Sequence, residues 1–75
     1  MAGIGGIHWK RFEKFLLAEG CKFIREKGDH RVYSKTGITR PVIVPRDTLP
    51  PHVVLNNLRT LGISRREYLK TIAKL

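Results

Sequence analysis

Glycine and proline punctuate this chain so often that only short elements fit between them. Gly20, Gly28, Gly37 and Gly62, with Pro41, Pro45, Pro50 and Pro51, divide it into intervals that must each be read by their own period. From Ile7 to Glu19 the period is helical: Trp9, Phe12, Phe15 and Leu16 share one face, and Lys10, Arg11 and Lys14 lie away from it. Gly20 follows where a left-handed helix cap is wanted. "CKFIREK" alternates Cys21, Phe23 and Arg25 with Lys22, Ile24 and Glu26, the habit of a strand. "HRVYSK" is a second strand, with Gly28-Asp29 as the turn between the two. Thr36 to Thr39 is another hairpin connection, and "RPVIVP" is a third strand that its prolines confine to an edge or to its own ends.

The remainder is helical. Pro50 and Pro51 suit a first turn, where no backbone donor is missed. Val54, Leu55, Leu58 and Leu61 then form an apolar stripe that Gly62 ends. Ser64-Arg65-Arg66-Glu67 is a capping box, with Ile63 and Tyr68 as its hydrophobic staple, and it opens a last helix that turns Tyr68, Leu69, Ile72 and Leu75 inward. Met1 to Gly6 reads as a flexible head. Its "GIGG" has neither the preceding strand nor the following Lys-Ser/Thr that a phosphate loop requires. The order predicts one α+β domain over residues 7–75: helix, three antiparallel strands, helix and short C-terminal helix, in two layers with one sheet face left open to a partner.

A chain of 75 residues buries only about 60% of its unfolded surface, so a site belongs in a surface groove rather than an internal cavity. Fifteen Lys and Arg against six Asp and Glu give a net charge of +9, which favours an anionic partner. Lys22, Arg25, Lys27, Arg31, Lys35, Arg40 and Arg46 all fall in the sheet segment, as a phosphate-binding patch would. Cys21 is alone, so no internal disulfide forms and a reducing cytoplasm is the simpler home. No secretory leader and no apolar run of about 18 residues is present, so we expect no membrane association. His8, His30, His52 and Cys21 lack metal-ligand spacing, and we expect no cofactor. Trp9, Phe12 and Phe15, at helical spacing, read as core, Cys21 as a small buried hydrophobe, and Tyr33 as an aromatic on the open face where it could stack on a base.

The stretch "REKGDHRVYSKTG" sets His30 among cations. Cutting RNA without metal takes one group to remove the 2′-hydroxyl proton, another to protonate the leaving oxygen, and cations for the charge that gathers on phosphorus. Histidine can do either proton task near neutral pH, and the 2′-hydroxyl restricts the chemistry to RNA.

"LLAEGCKFIREKGDHRVYSK", "RPVIVPRD" and "LNNLRTLGISRREYLKTI" together resemble the HicA-type mRNA interferase toxins of bacterial and archaeal toxin–antitoxin pairs, over nearly the whole chain from Trp9 to Ile72. The specific parts are the Gly-x-His at Gly28 to His30, the Val-Pro-x at Val44 to Arg46 and the Gly-Ile-Ser at Gly62 to Ser64. The resemblance implies a fold like a double-stranded-RNA-binding domain, metal-independent cleavage of mRNA with His30 as general acid or base, and inhibition by a HicB-type antitoxin, which the +9 charge predicts to be acidic. Arg25, Lys27, Arg31, Tyr33 and Lys35 are the expected RNA contacts. Two positions depart from the family: Asp29 where Ser is common, and Asp47 where many members carry His. The alternative is a non-catalytic RNA-binding module of the same fold. It is disfavoured because "TLPPHVVLNN" lacks the Lys cluster such domains carry at the start of their second helix.

Overall fold

The computed structural model describes residues 4–75. A two-residue strand, β1 (Ile7–His8), leads directly into helix α1 (Trp9–Ala18). His8 caps that helix, its Nδ1 accepting from the Lys10 N–H at 3.2 Å. The helix thus begins two residues later than its apolar period predicts. Phe12, Phe15 and Leu16 are the residues it buries. Gly20 takes a φ of 89°, the left-handed conformation that turns the chain into the sheet.

Three strands follow as an antiparallel meander, β2 (Lys22–Lys27), β3 (His30–Ser34) and β4 (Val42–Pro45), with β3 in the centre. Lys27 pairs with His30, so Gly28 and Asp29 form a two-residue hairpin loop. Gly28 has a φ of 60° and Asp29 is not in the positive region, the combination of a II′ turn, which asks for glycine at its first position. β4 leads through β5 (Thr48–Leu49), which pairs with β1, to α2 (Pro51–Leu61) and α3 (Arg65–Ile72). Gly62 ends α2 at a φ of 71°, and the Ser64 Oγ accepts from the Glu67 N–H to open α3 as the capping box predicts. The architecture is the expected small α+β fold, resembling a double-stranded-RNA-binding domain.

One core fills the space between the helices and one sheet face. Phe12, Phe15 and Leu16 meet Tyr33, Val42, Val44, Leu49, Val54, Leu58, Tyr68 and Ile72 there. Three readings of the sequence need correction. Ile4 is buried in this core and Gly6 N–H donates to the Leu49 carbonyl, so the expected flexible head does not extend to residues 4–6; Met1 to Gly3 lie outside the described residues. Leu55 stays 38% exposed, while Asn57 is buried in its place on α2 because its amide donates to the Ile43 carbonyl at 3.1 Å. Leu75 is exposed rather than turned inward. The small β1–β5 sheet escapes the pattern because two residues are too few to alternate.

Candidate active site and nucleic-acid interface

The alternation of β3 decides which side chains face away from the helices. Arg31 and Tyr33 point to the helices; His30, Val32 and Ser34 point to the open face. β2 carries a bulge: Phe23 opposes Tyr33, but Ile24 and Arg25 together oppose Val32. The extra residue shifts the phase, so Phe23 stays with the core-facing set while Arg25 and Lys27 stand beside His30. Plain alternation had put Phe23 and Arg25 on one face. The open face therefore has an apolar floor of Val32 and Ile43, bordered by Arg25, Lys27, Gly28, Asp29 and His30. The His30 side chain is 53% exposed. Its Nδ1 lies 3.1 Å from Asp29 Oδ1, and Nε2 has no hydrogen-bond partner among the described residues. Asp29 thus points its carboxylate at the imidazole. The hairpin is pinned from below, where the Arg46 N–H donates to the Asp29 carbonyl at 2.8 Å.

Of the five expected RNA contacts besides His30, only Arg25 and Lys27 share its face. Tyr33 is fully buried, so it is not available as a stacking platform. Its hydroxyl donates to Glu13 and accepts from Arg31 Nε at 2.9 Å. Burial first, and the Glu13 bond second, push this phenol up to about 12. Arg31 is likewise a structural cation. Its guanidinium reaches Tyr33, Glu13 and Glu26, each at 2.9 Å, and stacks over Phe23 at 4.1 Å from the ring centroid. The Tyr33 bond above all, then those to Glu13 and Glu26, raises its already high pKa. Arg46 extends the chain of charges by donating to Glu26 at 2.9 Å. Lys35 lies past the other end of β3, beside Gly20 and Lys22, roughly 16 Å from His30 at strand rise.

Other sequence readings hold their place or lose it plainly. Cys21 is buried, and burial pushes its thiol up, which keeps it protonated and unreactive. Trp9 is half-buried, packed against the core and ringed by Lys10, Arg31 and Arg46. Among the described residues, no group of three or more His, Cys, Asp and Glu side chains is placed to hold a metal ion. Residues that the sequence reading overlooked are Val32 and Ile43, the floor, and Glu13 and Glu26, the partners of Arg31. The signal was present: a strict period of two already separates His30 from Arg31 and Tyr33.

A family model described as HicA toxin of bacterial toxin–antitoxin matches residues 9–63, well over half of the chain. The chain belongs to the HicA toxin family. No curated protein and no solved structure matches it. As a HicA toxin it is the toxin of a toxin–antitoxin system, in a family known for cleaving mRNA and paired with a cognate antitoxin. The match spans all of the open face and the hairpin that carries His30. In this HicA chain Asp47, which replaces the family's frequent histidine, accepts from the Thr48 N–H at 2.7 Å through its own Oδ1. It serves the turn into β5, and no second imidazole stands beside His30 there. His52 lies in the first turn of α2, outside the group of residues that borders His30.

Proposed function

We propose that this HicA toxin is a metal-independent endoribonuclease of the cytoplasm, with His30 as its general acid or base. The observation that carries the reading is the placement of one exposed imidazole beside two cations, Arg25 and Lys27; among the described residues its Nε2 has no hydrogen-bond partner and neither cation has a carboxylate partner. In the reaction the 2′-hydroxyl oxygen bonds to phosphorus as its proton leaves to a base, and the bond to the 5′-oxygen breaks as that oxygen gains a proton. His30 serves one of these transfers, and Arg25 and Lys27 offset the charge on the phosphorane. Val32 and Ile43 give a base an apolar surface beside the scissile phosphate. A cognate antitoxin of acidic character covers this same open face, because its cations and its imidazole are gathered there.

The test is induced expression in a bacterial host of the parent and of His30→Ala. The parent arrests growth and its messages shorten; the variant does neither, yet keeps the thermal midpoint of the parent, since an exposed side chain contributes little packing. A variant that still cuts removes His30 from the chemistry. A parent that binds RNA without cutting it is a binding module, a reading to which Asp29 lends weight by placing a negative charge where a phosphate must approach.

A further inference from the structure

A second basic site lies away from His30. On α2, Asn56, Arg59 and Thr60 stand at i, i+3 and i+4, and the link before β4 brings Thr39 and Arg40 against them. These five residues line an open cleft of about 530 Å³. Thr60 Oγ1 is committed to the Asn56 carbonyl at 3.1 Å, which leaves the Asn56 amide, the Thr39 hydroxyl and two guanidiniums as donors. Neither Arg40 nor Arg59 forms an ion pair among the described residues. The acidic residues of the chain lie elsewhere: Glu13 and Glu26 on Arg31, Asp29 on His30, Asp47 on Thr48, Glu19 at the end of α1 and Glu67 at the start of α3. A polar cleft with two unneutralised arginines and no carboxylate in its walls is matched to a phosphate, which a guanidinium grips in a bidentate manner.

The position of the cleft identifies the phosphate's source. β4 pairs with Tyr33 at its start and with His30 at its end, so Arg40, two residues before β4, and His30 lie towards opposite ends of that strand, with roughly 16 Å of strand rise between Arg40 and Pro45, the partner of His30. Stacked single-stranded RNA covers that distance in about five nucleotides at ~3.4 Å each. Asn57 ties α2 to Ile43 of β4, the edge strand of the sheet, so a strand of RNA that passes from one site to the other rounds that single edge. We propose that the Arg40–Arg59 cleft binds a backbone phosphate of single-stranded RNA several nucleotides from the bond cut at His30. This rests on the RNA reading above and adds a distal subsite to it.

The experiment uses two uncleavable 2′-O-methyl RNAs, a twelve-nucleotide and a three-nucleotide strand, with the parent, Arg40→Gln/Arg59→Gln and Arg40→Lys/Arg59→Lys. Equilibrium affinity is measured across a salt series, and thermal midpoints confirm that all three proteins fold. For the longer strand, the slope of log K against log salt becomes shallower in the Gln pair by about 0.7 for each phosphate that is no longer neutralised. The Lys pair recovers most of it, and the short strand binds all three proteins alike. An unchanged slope and affinity in the Gln pair, with the parent binding well, overturns the cleft alone. An equal loss for the short strand also overturns it, since that effect is one of overall charge. A parent that binds neither strand at any salt overturns the RNA reading itself.

Discussion

Arg31 shows how one side chain can look like a ligand contact in sequence and be a structural member in space. Its guanidinium holds Glu13, Glu26 and the Tyr33 hydroxyl together across α1, β2 and β3. Arg31→Gln therefore lowers stability by about 1–3 kcal/mol, towards the lower end because both carboxylates keep some solvent, and a urea midpoint reads this directly. A fall in RNA affinity at unchanged stability would contradict the assignment. Tyr33 supplies a pH test of the same cluster. Its phenol is raised to about 12 in the fold against about 10 in the unfolded chain. Below pH 10 both states keep the proton and the contribution is constant. Between about pH 10 and 12 the unfolded chain ionises first, so stability falls as pH rises. Tyr33→Phe removes that contribution, and its urea midpoint declines less steeply than the parent's over the same window.

At the scale of elements, the β2–β3 hairpin carries the proposed catalytic residue His30, and Gly28 is its most exacting position. A Cβ there would meet no atom within 4 Å, so only the positive φ opposes substitution. Gly28→Ala costs about 1–2 kcal/mol of stability or makes the turn rearrange, and RNA cleavage falls with it because Asp29 and His30 follow directly. A variant with parental midpoint and parental cleavage would show that the turn does not hold the imidazole. The elements themselves were legible in the sequence: Gly20, Gly28 and Gly62 take the positive φ angles their positions called for, and Ser64 caps α3 as read. Two kinds of information were not. The bulge at Ile24 is an insertion in one strand relative to its neighbour, and no period within "CKFIREK" reveals it. Asn57 reads as a surface residue until β4 lays the Ile43 carbonyl beside it. The sequence singles out His30 by its setting among cations, but which cations join it depends on strand phase, and that separates Arg25 and Lys27 from Arg31, Tyr33 and Lys35.

Across the whole molecule, charge is distributed unevenly. A net +9 sits on a body whose acids are largely engaged with specific partners, which leaves Arg25 and Lys27 on the open sheet face and Arg40 and Arg59 at the α2 cleft without carboxylate partners among the described residues. On the proposed function, RNA and an acidic antitoxin compete for the same cations. A sizing column loaded with toxin, antitoxin and uncleavable RNA should yield two binary complexes and no ternary one; a stable ternary complex would move the antitoxin to another surface. Metal-independent cleavage through the 2′-hydroxyl, as proposed for His30, is decided by the chemistry of the fragment ends. Purified protein is incubated with RNA in excess chelator and the products are identified by mass. Attack by the 2′-oxygen predicts a 2′,3′-cyclic phosphate on one fragment and a 5′-hydroxyl on the other, with neither formed by His30→Ala. Fragments ending in 3′-hydroxyl and 5′-phosphate, or cleavage that appears only after a divalent cation is added, would contradict it.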